Sequence, residues 1–294
     1  MTDEVRFEIK DFVAYVTIDR PAVLNAVDGP TTDRLNQIWA TIEASSEVRC
    51  VVVTGAGDRA FCVGADMSQK AIDKTGLEYW SQLDPNGFGG LSLRTTLDVP
   101  VIARVNGYAV GGGMEMILGC DIVIAADTAK FGLPEPRVGR LPLDGGMVLL
   151  QRKIPHNAAM GLLLTGKRVP AAELYRLGLV NEVVPASELD NAVQRWVDDV
   201  LACSPSSVRA IKQLATRTAQ LSAREARDAR LPAVMAALDS EDSKEECSPS
   251  RRSAPPCGQD ADDRPRRRRP AQHRHGPAQQ ARAEQARRSR PARR

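Results

Sequence analysis

Apolar residues near the start of the chain follow two periods. Residues 5–9 and 13–18 are rich in apolar and β-branched side chains and lie on either side of a short polar step, which predicts a hairpin. Between residues 35 and 42 the apolar positions recur at i, i+3, i+4 and i+7, the period of an amphipathic helix. Thr31 or Thr32 is the expected N-cap of this helix, because a hydroxyl can accept from its first free amides.

Farther along, three short continuous apolar runs predict strands that are buried on both faces. These runs are residues 50–53, 99–105 and 121–125. Glycines 111–113 are expected to open a helix. Further helices are predicted at 147–153, 158–164, 171–177, 188–202 and 206–221, with a brief strand at 179–184. Buried strands that alternate with helices predict an α/β fold.

The end of the chain differs in composition. Residues 249–294 hold 14 Arg, four acidic residues and seven of the 19 prolines, so the segment carries +10. The net charge of +3 leaves −7 on residues 1–248. A segment with so few large apolar side chains cannot offset the entropy of ordering its backbone. We therefore expect a disordered Arg/Pro-rich tail after a domain of about 245 residues.

Several classes of chemistry are disfavoured by composition. Residues 1–248 contain one histidine, His156, so Ser-His-Asp or Cys-His catalysis would depend on it and a His-rich metal site is excluded. The six cysteines include no CxxC pair, so no zinc site or disulfide framework is predicted. There is no apolar window long enough for a membrane span, and the acidic N-terminus lacks the apolar core of a secretory signal. We expect a cytoplasmic protein without a metal, whose acid–base groups are carboxylates, Lys, Tyr or Cys.

A formal dinucleotide fingerprint, G-x-G-x-x-A, occupies residues 55–60 after a predicted strand. In a true dinucleotide site the N-terminus of a following helix holds the pyrophosphate. Residues 61–66 do not predict such a helix, so we do not assign a nicotinamide site.

Three successive glycines, Gly111, Gly112 and Gly113, stand at a predicted strand-to-helix junction. The first amides of a helix have no intrahelical partner, and the helix dipole gives them partial positive charge. With an amide of the Gly64-Ala65 turn they would form a two-donor oxyanion hole. Close packing of the helix against a strand would equally account for the glycines.

Two glutamates are candidates for acid–base chemistry. Glu115 falls in the first turn of the glycine-led helix, and Glu135 lies between Pro134 and Pro136, which fix the local backbone. Two carboxylates that share a site have coupled protonation, so at neutral pH one can act as a base and the other as an acid. The alternative for each is a solvated surface side chain.

Several segments, in this order and spacing, resemble the enoyl-CoA hydratase/isomerase (crotonase) superfamily. They are AFCVGAD at 60–66, PVIARVNGYA at 100–109, GGGME at 111–115, CDI at 120–122, FGLPE at 131–135, LTG at 164–166 and GLVN at 178–181. The resemblance runs from about residue 5 to residue 245. It implies a spiral of ββα units followed by a helical region.

The resemblance also implies a division of the chain. Residues 1–190 would form the spiral acyl-CoA-binding core. Residues 191–245 would form a helical region that caps the pocket and packs homotrimers, which often pair into hexamers. Residues 246–294 would be the basic low-complexity tail.

Members of this superfamily bind acyl-CoA thioesters and stabilise an enolate at the thioester oxygen. The resemblance implies that the amides of Ala65 and Gly112 are the oxyanion-hole donors. It implies that Glu115 helps to activate water and that Glu135 delivers a proton to the α-carbon. The substrate- and CoA-binding residues that it implies are Arg59, Ala60, Cys62, Ala65, Asp66, Met67 and Gly112, with Arg59 as a phosphate partner.

These features predict an enoyl-CoA hydratase that adds water across a C2=C3 bond, with no cofactor beyond the CoA of its substrate. The first alternative is an isomerase, or a dehydratase acting on a special acyl-CoA of the carnitinyl-CoA type. From another class, the chain could be a non-catalytic CoA-binding protein, or a nucleic-acid-binding protein that acts through its Arg-rich tail. Nucleic acid is the less favoured partner, because the tail has no aromatic residue for base stacking.

Two segments depart from the family pattern. Residues 140–146, RLPLDGG, replace the small residues that are usual before the double glycine, and this bulk and charge would reshape the acyl pocket. After residue 245 the family's final apolar and basic segment is replaced by the Pro/Arg-rich sequence. Permitted codons for residues 246–258 read one base earlier restore the family ending, so we hypothesise that the tail is a frameshift product.

Overall fold

In the computed structural model, residues 4–67 and 75–240 are described. The predicted tail and the frameshift hypothesis concern residues outside these ranges. In the described chain two sheets are formed by ten strands. The strands are β1 Val5–Lys10, β2 Val13–Ile18, β3 Cys50–Gly55, β4 Ala60–Cys62, β5 Val101–Val105, β6 Tyr108–Val110, β7 Ile122–Ala126, β8 Lys130–Gly132, β9 Val169–Pro170 and β10 Glu182–Val184.

The larger sheet has the strand order β1-β2-β3-β5-β7-β10. Its first two strands form the predicted hairpin, with Val5 opposite Ile18 and Lys10 opposite Val13. The remaining neighbours pair in parallel. The strands of the sheet interior are apolar along their length because both faces of the sheet are covered.

The smaller sheet has the order β4-β6-β8-β9. Strands β4, β6 and β8 pair in parallel, and β9 is antiparallel to β8. Each of the pairs β3–β4, β5–β6 and β7–β8 places its first strand in the larger sheet and its second in the smaller one. This repeated step is the predicted spiral of ββα units.

The helices of the described chain are α1 Gly29–Ala44, α2 Gly76–Trp80, α3 Gly112–Gly119, α4 Gly146–Lys153, α5 His156–Thr165, α6 Ala171–Arg176, α7 Leu189–Leu201, α8 Pro205–Arg217, α9 Ala223–Asp228 and α10 Pro232–Leu238. Glycines 111–113 do open a helix, as predicted. None of these helices is long and apolar enough to span a membrane, within the described residues.

The main apolar core lies between the two sheets and two of the helices. It joins Val51 of the larger sheet, Phe131 of the smaller sheet, Trp39 of α1 and Ile117 of α3, all of which are buried. Burial of such side chains supplies most of the stabilisation of a domain, at about 25 cal/mol per Å² of apolar surface. The core therefore fixes α3 against the smaller sheet.

A second cluster covers the other face of the larger sheet. Val193 and Val197 of α7 pack there against Val52, Ile102 and Ile124. The boundary predicted at residue 190 thus falls inside a helix that packs on the sheet. The division into a core and a helical region remains a prediction.

Three local predictions were wrong in position or extent. The N-cap of α1 is Asp28 and neither threonine, because the Asp28 carboxylate accepts from the Thr31 amide at 2.9 Å and the helix begins at Gly29. The strand predicted at 179–184 is reduced to β10, because the amides of Leu179 and Val180 donate to the Leu174 carbonyl where α6 ends. The predicted helix at 206–221 also ends earlier, at Arg217.

Candidate active site

The three strands β4, β6 and β8 end at the same edge of the smaller sheet, because they run parallel. Ala65 lies three residues beyond the end of β4, Gly112 two beyond β6 and Glu135 three beyond β8. Segments that follow adjacent parallel strands come together outside the carboxyl ends of those strands. The topology therefore brings together three sequence-predicted residues that are up to 70 positions apart in the chain.

The amide of Gly112 stands at the start of a helix. Gly112 is the first residue of α3, and such an amide has no intrahelical partner. The preceding residue, Gly111, has a φ of 58°, a left-handed conformation that favours glycine. The start of α3 therefore lies close to the segment that follows β4. A Cβ atom added to Gly64 would be 3.0 Å from the backbone nitrogen of Gly112.

The amide of Ala65 faces away from Val27, the residue with which Ala65 forms a parallel bridge. Val27 donates to the Gly64 carbonyl at 2.9 Å and accepts from the Asp66 amide at 2.9 Å. In this parallel bridge the two bonds go to the residues on either side of Ala65, so the N–H of Ala65 itself points to the opposite side. Ala65 is exposed. The amides of Ala65 and Gly112 thus lie in neighbouring segments, one after β4 and the other at the start of α3.

Glu115 lies one helical turn beyond Gly112 and is buried, with 3% of its surface exposed. Its Oε1 accepts from the Gly146 amide, the first of α4, at 2.9 Å. Burial raises the pKa of Glu115 to about 8, the amide of Gly146 opposes the rise, and the charges of Asp144 and Glu135 add to it. The environment therefore favours a proton on this carboxyl group near neutral pH.

Glu135 opens a 3-10 turn, residues 135–138, directly after Pro134. Its Oε2 is enclosed and has no hydrogen-bond partner in the described part of the chain. Its Oε1 lies by the glycine turn, 3.1 Å from where a Cβ on Gly111 would stand. Burial raises the pKa of Glu135. An enclosed oxygen without a partner is costly unless a water or a substrate group binds it.

The two glutamates lie near each other. Both border the same glycine turn, Glu115 as part of α3 and Glu135 through its contact with Gly111. The charge of Glu135 also raises the pKa of Glu115. The arrangement supports transfer of one proton from water and one to carbon, beside two amides that can hold an oxyanion.

A third acidic residue, Asp144, lies beside Glu115. It is 5% exposed, and its Oδ2 accepts from the Tyr79 hydroxyl at 2.5 Å. Burial raises the pKa of the Asp144 carboxyl group, and hydrogen bonding from Tyr79 opposes this. The sequence marked Asp144 as part of an unusual segment, but Tyr79 gave no signal because it comes from a short, exposed helix 65 residues away.

The other residues predicted to bind substrate divide between surface and interior. Arg59 is exposed beside a small cleft that Ala60 also lines, and Met67 is 49% exposed, with its Sδ 3.2 Å from an Arg140 nitrogen. The Cys62 thiol is buried, and its sulfur accepts from the Gly64 amide. The side chain of Asp66 is directed at Arg20, at 3.0 Å, so it braces the turn that carries Ala65.

Arg20 links this turn to the N-terminus of α1. Its guanidinium, 10% exposed, pairs with Asp28 at 2.9 Å and with Asp66 at 3.0 Å, and both carboxylates are 5% exposed. Removing one partner of a buried pair leaves uncompensated charge, so Arg20→Met should lower the free energy of unfolding by about 3–5 kcal/mol. The measurement is urea unfolding.

The control for Arg20→Met is Arg6→Met, which breaks the Arg6–Asp19 pair, where the arginine side chain is 61% exposed. We expect this variant to lose less than about 1 kcal/mol. Equal losses in the two variants would contradict the structural role of Arg20.

Burial of Glu115 predicts a pH-dependent stability. Its folded pKa of about 8 lies above the ordinary value of 4.5, so the folded state binds the proton more tightly. The contribution of this group to stability is therefore lost as the pH rises from about 4.5 to about 8. Glu115→Gln removes the titration, and we expect it to match wild type at pH 5 and to exceed it by about 2–4 kcal/mol at pH 9.

Urea unfolding at the two pH values measures this difference, with the exposed Glu47→Gln as the control. A Glu115→Gln variant that gains nothing between pH 5 and pH 9 would show that the carboxyl group is not desolvated in the folded protein.

Comparisons with known proteins show the family and agree with the fold. The sequence profile described as Enoyl-CoA hydratase/isomerase matches residues 8–251. The chain belongs to this family. It is thus an enzyme of the crotonase group that acts on acyl-CoA thioesters. Among the residues described, no group of three or more His, Cys, Asp or Glu could hold a metal ion.

Individual relatives in the family differ in the names of their substrates. The chain is 38% identical to (E)-benzylidenesuccinyl-CoA hydratase of Thauera aromatica over 72% of its own length and 81% of the relative's. It is 34% identical to carnitinyl-CoA dehydratase of Proteus mirabilis, over 76% of the chain and 85% of that protein. A solved enoyl-CoA hydratase from Mycobacterium tuberculosis is similar over 83% of this chain and 94% of its own, at 29% identity and a TM-score of 0.75.

Proposed function

We propose that this family member is an enoyl-CoA hydratase, which adds water across the C2=C3 bond of a 2-enoyl-CoA thioester. The observation that carries the proposal is the pair Glu115 and Glu135, both with raised pKa, next to the turn that leads into the amide of Gly112, with the segment of Ala65 beside it. Hydration places a hydroxyl group and a proton on adjacent carbons. Two carboxyl groups at one site meet that need.

In the proposed reaction the thioester carbonyl accepts from the amides of Ala65 and Gly112. Glu115, in its ionised form, takes a proton from water as the water oxygen bonds to C3. The C2=C3 electrons move toward the thioester oxygen, whose negative charge the two amides stabilise. Glu135 then gives its proton to C2, and the C=O bond re-forms. CoA enters as part of the substrate, so this reaction requires no further cofactor.

The protonation states follow from the environment. Burial raises the pKa of Glu135, which increases the fraction of this carboxyl group that carries a proton for C2. The pKa of Glu115, about 8, makes it a stronger base than an ordinary carboxylate once it is ionised. The pair therefore titrates as a unit, and we expect a bell-shaped dependence of kcat/KM on pH.

Two measurements on crotonyl-CoA test the proposal. One is the loss of its enoyl-thioester absorbance, and the other is the mass of the product. A hydratase gives a product heavier by one water, whereas an isomerase acting on a 3-enoyl-CoA gives a product of unchanged mass. No turnover of any 2-enoyl-CoA would contradict the proposal. Assembly into a homotrimer or hexamer belongs to the same proposal, and sedimentation of the intact chain tests it.

The second candidate is a dehydratase working on a 3-hydroxyacyl-CoA. The name of the 34% identical relative from Proteus mirabilis, carnitinyl-CoA dehydratase, favours it. The same residues serve both directions, because each proton transfer is reversed along the same path. The equilibrium constant of the reaction and the acyl group that is supplied decide whether hydration or dehydration is observed. Both reactions are therefore measured for each acyl group.

A further inference from the structure

A cavity of about 250 Å³ lies between the larger sheet and α7, and the proposed hydration does not use it. Residues of β2, β3 and β5 line one side of the cavity, and residues of α7 line the other. On the same three strands, Val16, Val53 and Val105 belong to the main core. Because successive side chains of a strand point to opposite faces, the cavity lies on the face of the sheet that is turned away from the main core and the smaller sheet.

Three polar side chains form a row across this face. In the sheet register Thr17 of β2 lies opposite Thr54 of β3, and Thr54 lies opposite Arg104 of β5. Neighbouring strands of a sheet are about 4.8 Å apart, so the three side chains are close enough to act on one ligand. All three line the cavity.

Arg104 is the one base among the described residues that line the cavity, and its side chain is 22% exposed. Its Nε donates to Asp190 at 2.6 Å, and its Nη1 donates to the Thr54 hydroxyl at 3.3 Å. Its Nη2 forms no hydrogen bond within the described chain. A guanidinium binds a carboxylate through two parallel N–H groups. The edge between Nη1 and Nη2 therefore suits a carboxylate.

Tyr15 and Thr17 add two hydroxyl groups to the lining. Neither hydroxyl has a hydrogen-bond partner in the part of the chain that the structure describes. Burial raises the pKa of Tyr15, and the charges of Asp11 and Asp198 add to the rise, so its hydroxyl keeps its proton at neutral pH. Both hydroxyls can therefore donate, which favours a ligand that accepts hydrogen bonds.

Asp190 is the acidic residue of the lining, and it already pairs with Arg104. Its side chain is 81% exposed, so water and salt screen most of its charge. A carboxylate at the other edge of the guanidinium would meet only weak repulsion from Asp190.

The rest of the cavity is apolar. Val52 of β3 and Val193 and Val197 of α7 line it and belong to the second core cluster, against which Tyr15 also packs. An apolar group that covers these side chains is removed from water, which is favourable. The cavity is smaller than the about 300–1,000 Å³ of sites for drug-sized ligands, so its ligand must be small.

We propose that this cavity is a second binding site, which takes a small monocarboxylate with a compact apolar body. The carboxylate binds the Nη1–Nη2 edge of Arg104 and the hydroxyl of Thr17. The apolar body lies against Val52 and Val193. A free organic acid then binds without competing with an acyl-CoA thioester for the candidate active site.

Titration calorimetry on the full chain with benzoate, benzamide and inorganic phosphate tests the proposal. Benzamide has the shape of benzoate without its charge, and phosphate has negative charge without an apolar body. We expect benzoate to bind at least about tenfold more tightly than either of the other two. Benzamide or phosphate bound as tightly as benzoate would overturn the proposal.

The position of the site is tested by repeating the benzoate titration with excess butyryl-CoA. We expect the affinity for benzoate to stay within about twofold, because the thioester and the acid occupy opposite faces of the larger sheet. Loss of benzoate binding in the presence of butyryl-CoA would place the acid in the candidate active site and overturn the proposal.

Two substitutions remove donors from the cavity. Arg104→Lys keeps the charge but loses the two-pronged edge, and we expect at least about fivefold weaker binding of benzoate. Thr17→Val removes one hydroxyl at little change in shape, and we expect about two- to tenfold weaker binding. The matched control is Arg195→Lys on α7, where Arg195 pairs with Glu182. It should change the affinity by less than about twofold. Equal effects of the two arginine substitutions would contradict binding at Arg104.

Asp190→Asn should act in the opposite direction. It keeps an acceptor for Nε of Arg104 and removes the one negative charge of the lining, so we expect about twofold or more tighter binding of benzoate. A purely structural role of the Arg104–Asp190 pair predicts no such gain. Binding that is unchanged or weaker in Asp190→Asn would contradict the proposal.

Discussion

Replacing Glu135 by Gln should lower kcat for hydration of crotonyl-CoA by about 10²–10⁴-fold, the range for loss of a general acid. Glutamine has the shape of the protonated carboxyl group but has no proton to give to C2. The enclosed Oε2, which has no partner in the described chain, is the atom whose chemistry would change. KM should change little, because the substitution leaves in place the amides that are proposed to hold the thioester.

Glu115→Gln should give a loss of similar size, because an amide cannot take the proton of the attacking water. The double variant should be scarcely slower than either single variant, since residues that act together have non-additive effects. The control is Glu173→Gln, which alters an exposed carboxylate that pairs with Arg176. Hydration rates within about threefold of wild type in both single variants would refute the two-carboxylate mechanism.

The pattern of the sequence was sufficient for the larger sheet and insufficient for the smaller one. The strands at residues 50–55 and 101–105 are long, continuous and apolar, so they stand out from their surroundings. Strands β4, β6 and β8 have three residues each, too few to show a period. Their pairing depends on contacts between distant segments, and it decides where Ala65, Gly112 and Glu135 meet.

The residues of the candidate site also divide into those with a local sequence signal and those whose contacts join distant segments. Glu115 and the glycines 111–113 could be singled out as candidates because three glycines at a helix start are locally unusual. The bond between Asp144 and Tyr79, and the pairing of Asp66 with Arg20, join residues 65 and 46 positions apart and have no local signal. Asp28 could have been chosen as the N-cap, because aspartate caps as well as threonine does and stands just before Gly29-Pro30.

Removing the amide proton of Gly112 should lower kcat for hydration by about 10²–10³-fold, the cost of losing one oxyanion-hole donor. The substitution is Gly112→Pro, because only proline lacks an amide proton. The first position of a helix, where Gly112 stands, tolerates proline. The obstacle is Phe88, because any Cβ on Gly112 would come within 2.5 Å of its ring. The substitution is therefore made together with Phe88→Ala.

The matched variant is Gly112→Ala with Phe88→Ala. Both double variants carry a Cβ at the same position and lack the same ring, and the amide proton is present only in the alanine variant. The proline ring also adds a carbon near the proposed position of the thioester carbonyl, which could hinder binding. The affinity for butyryl-CoA is therefore measured in parallel. A donor that acts in the transition state predicts a loss in kcat that exceeds the loss in affinity. If the two variants hydrate crotonyl-CoA at rates within about threefold of each other, the Gly112 amide is not the donor, and the thioester oxygen must be held elsewhere.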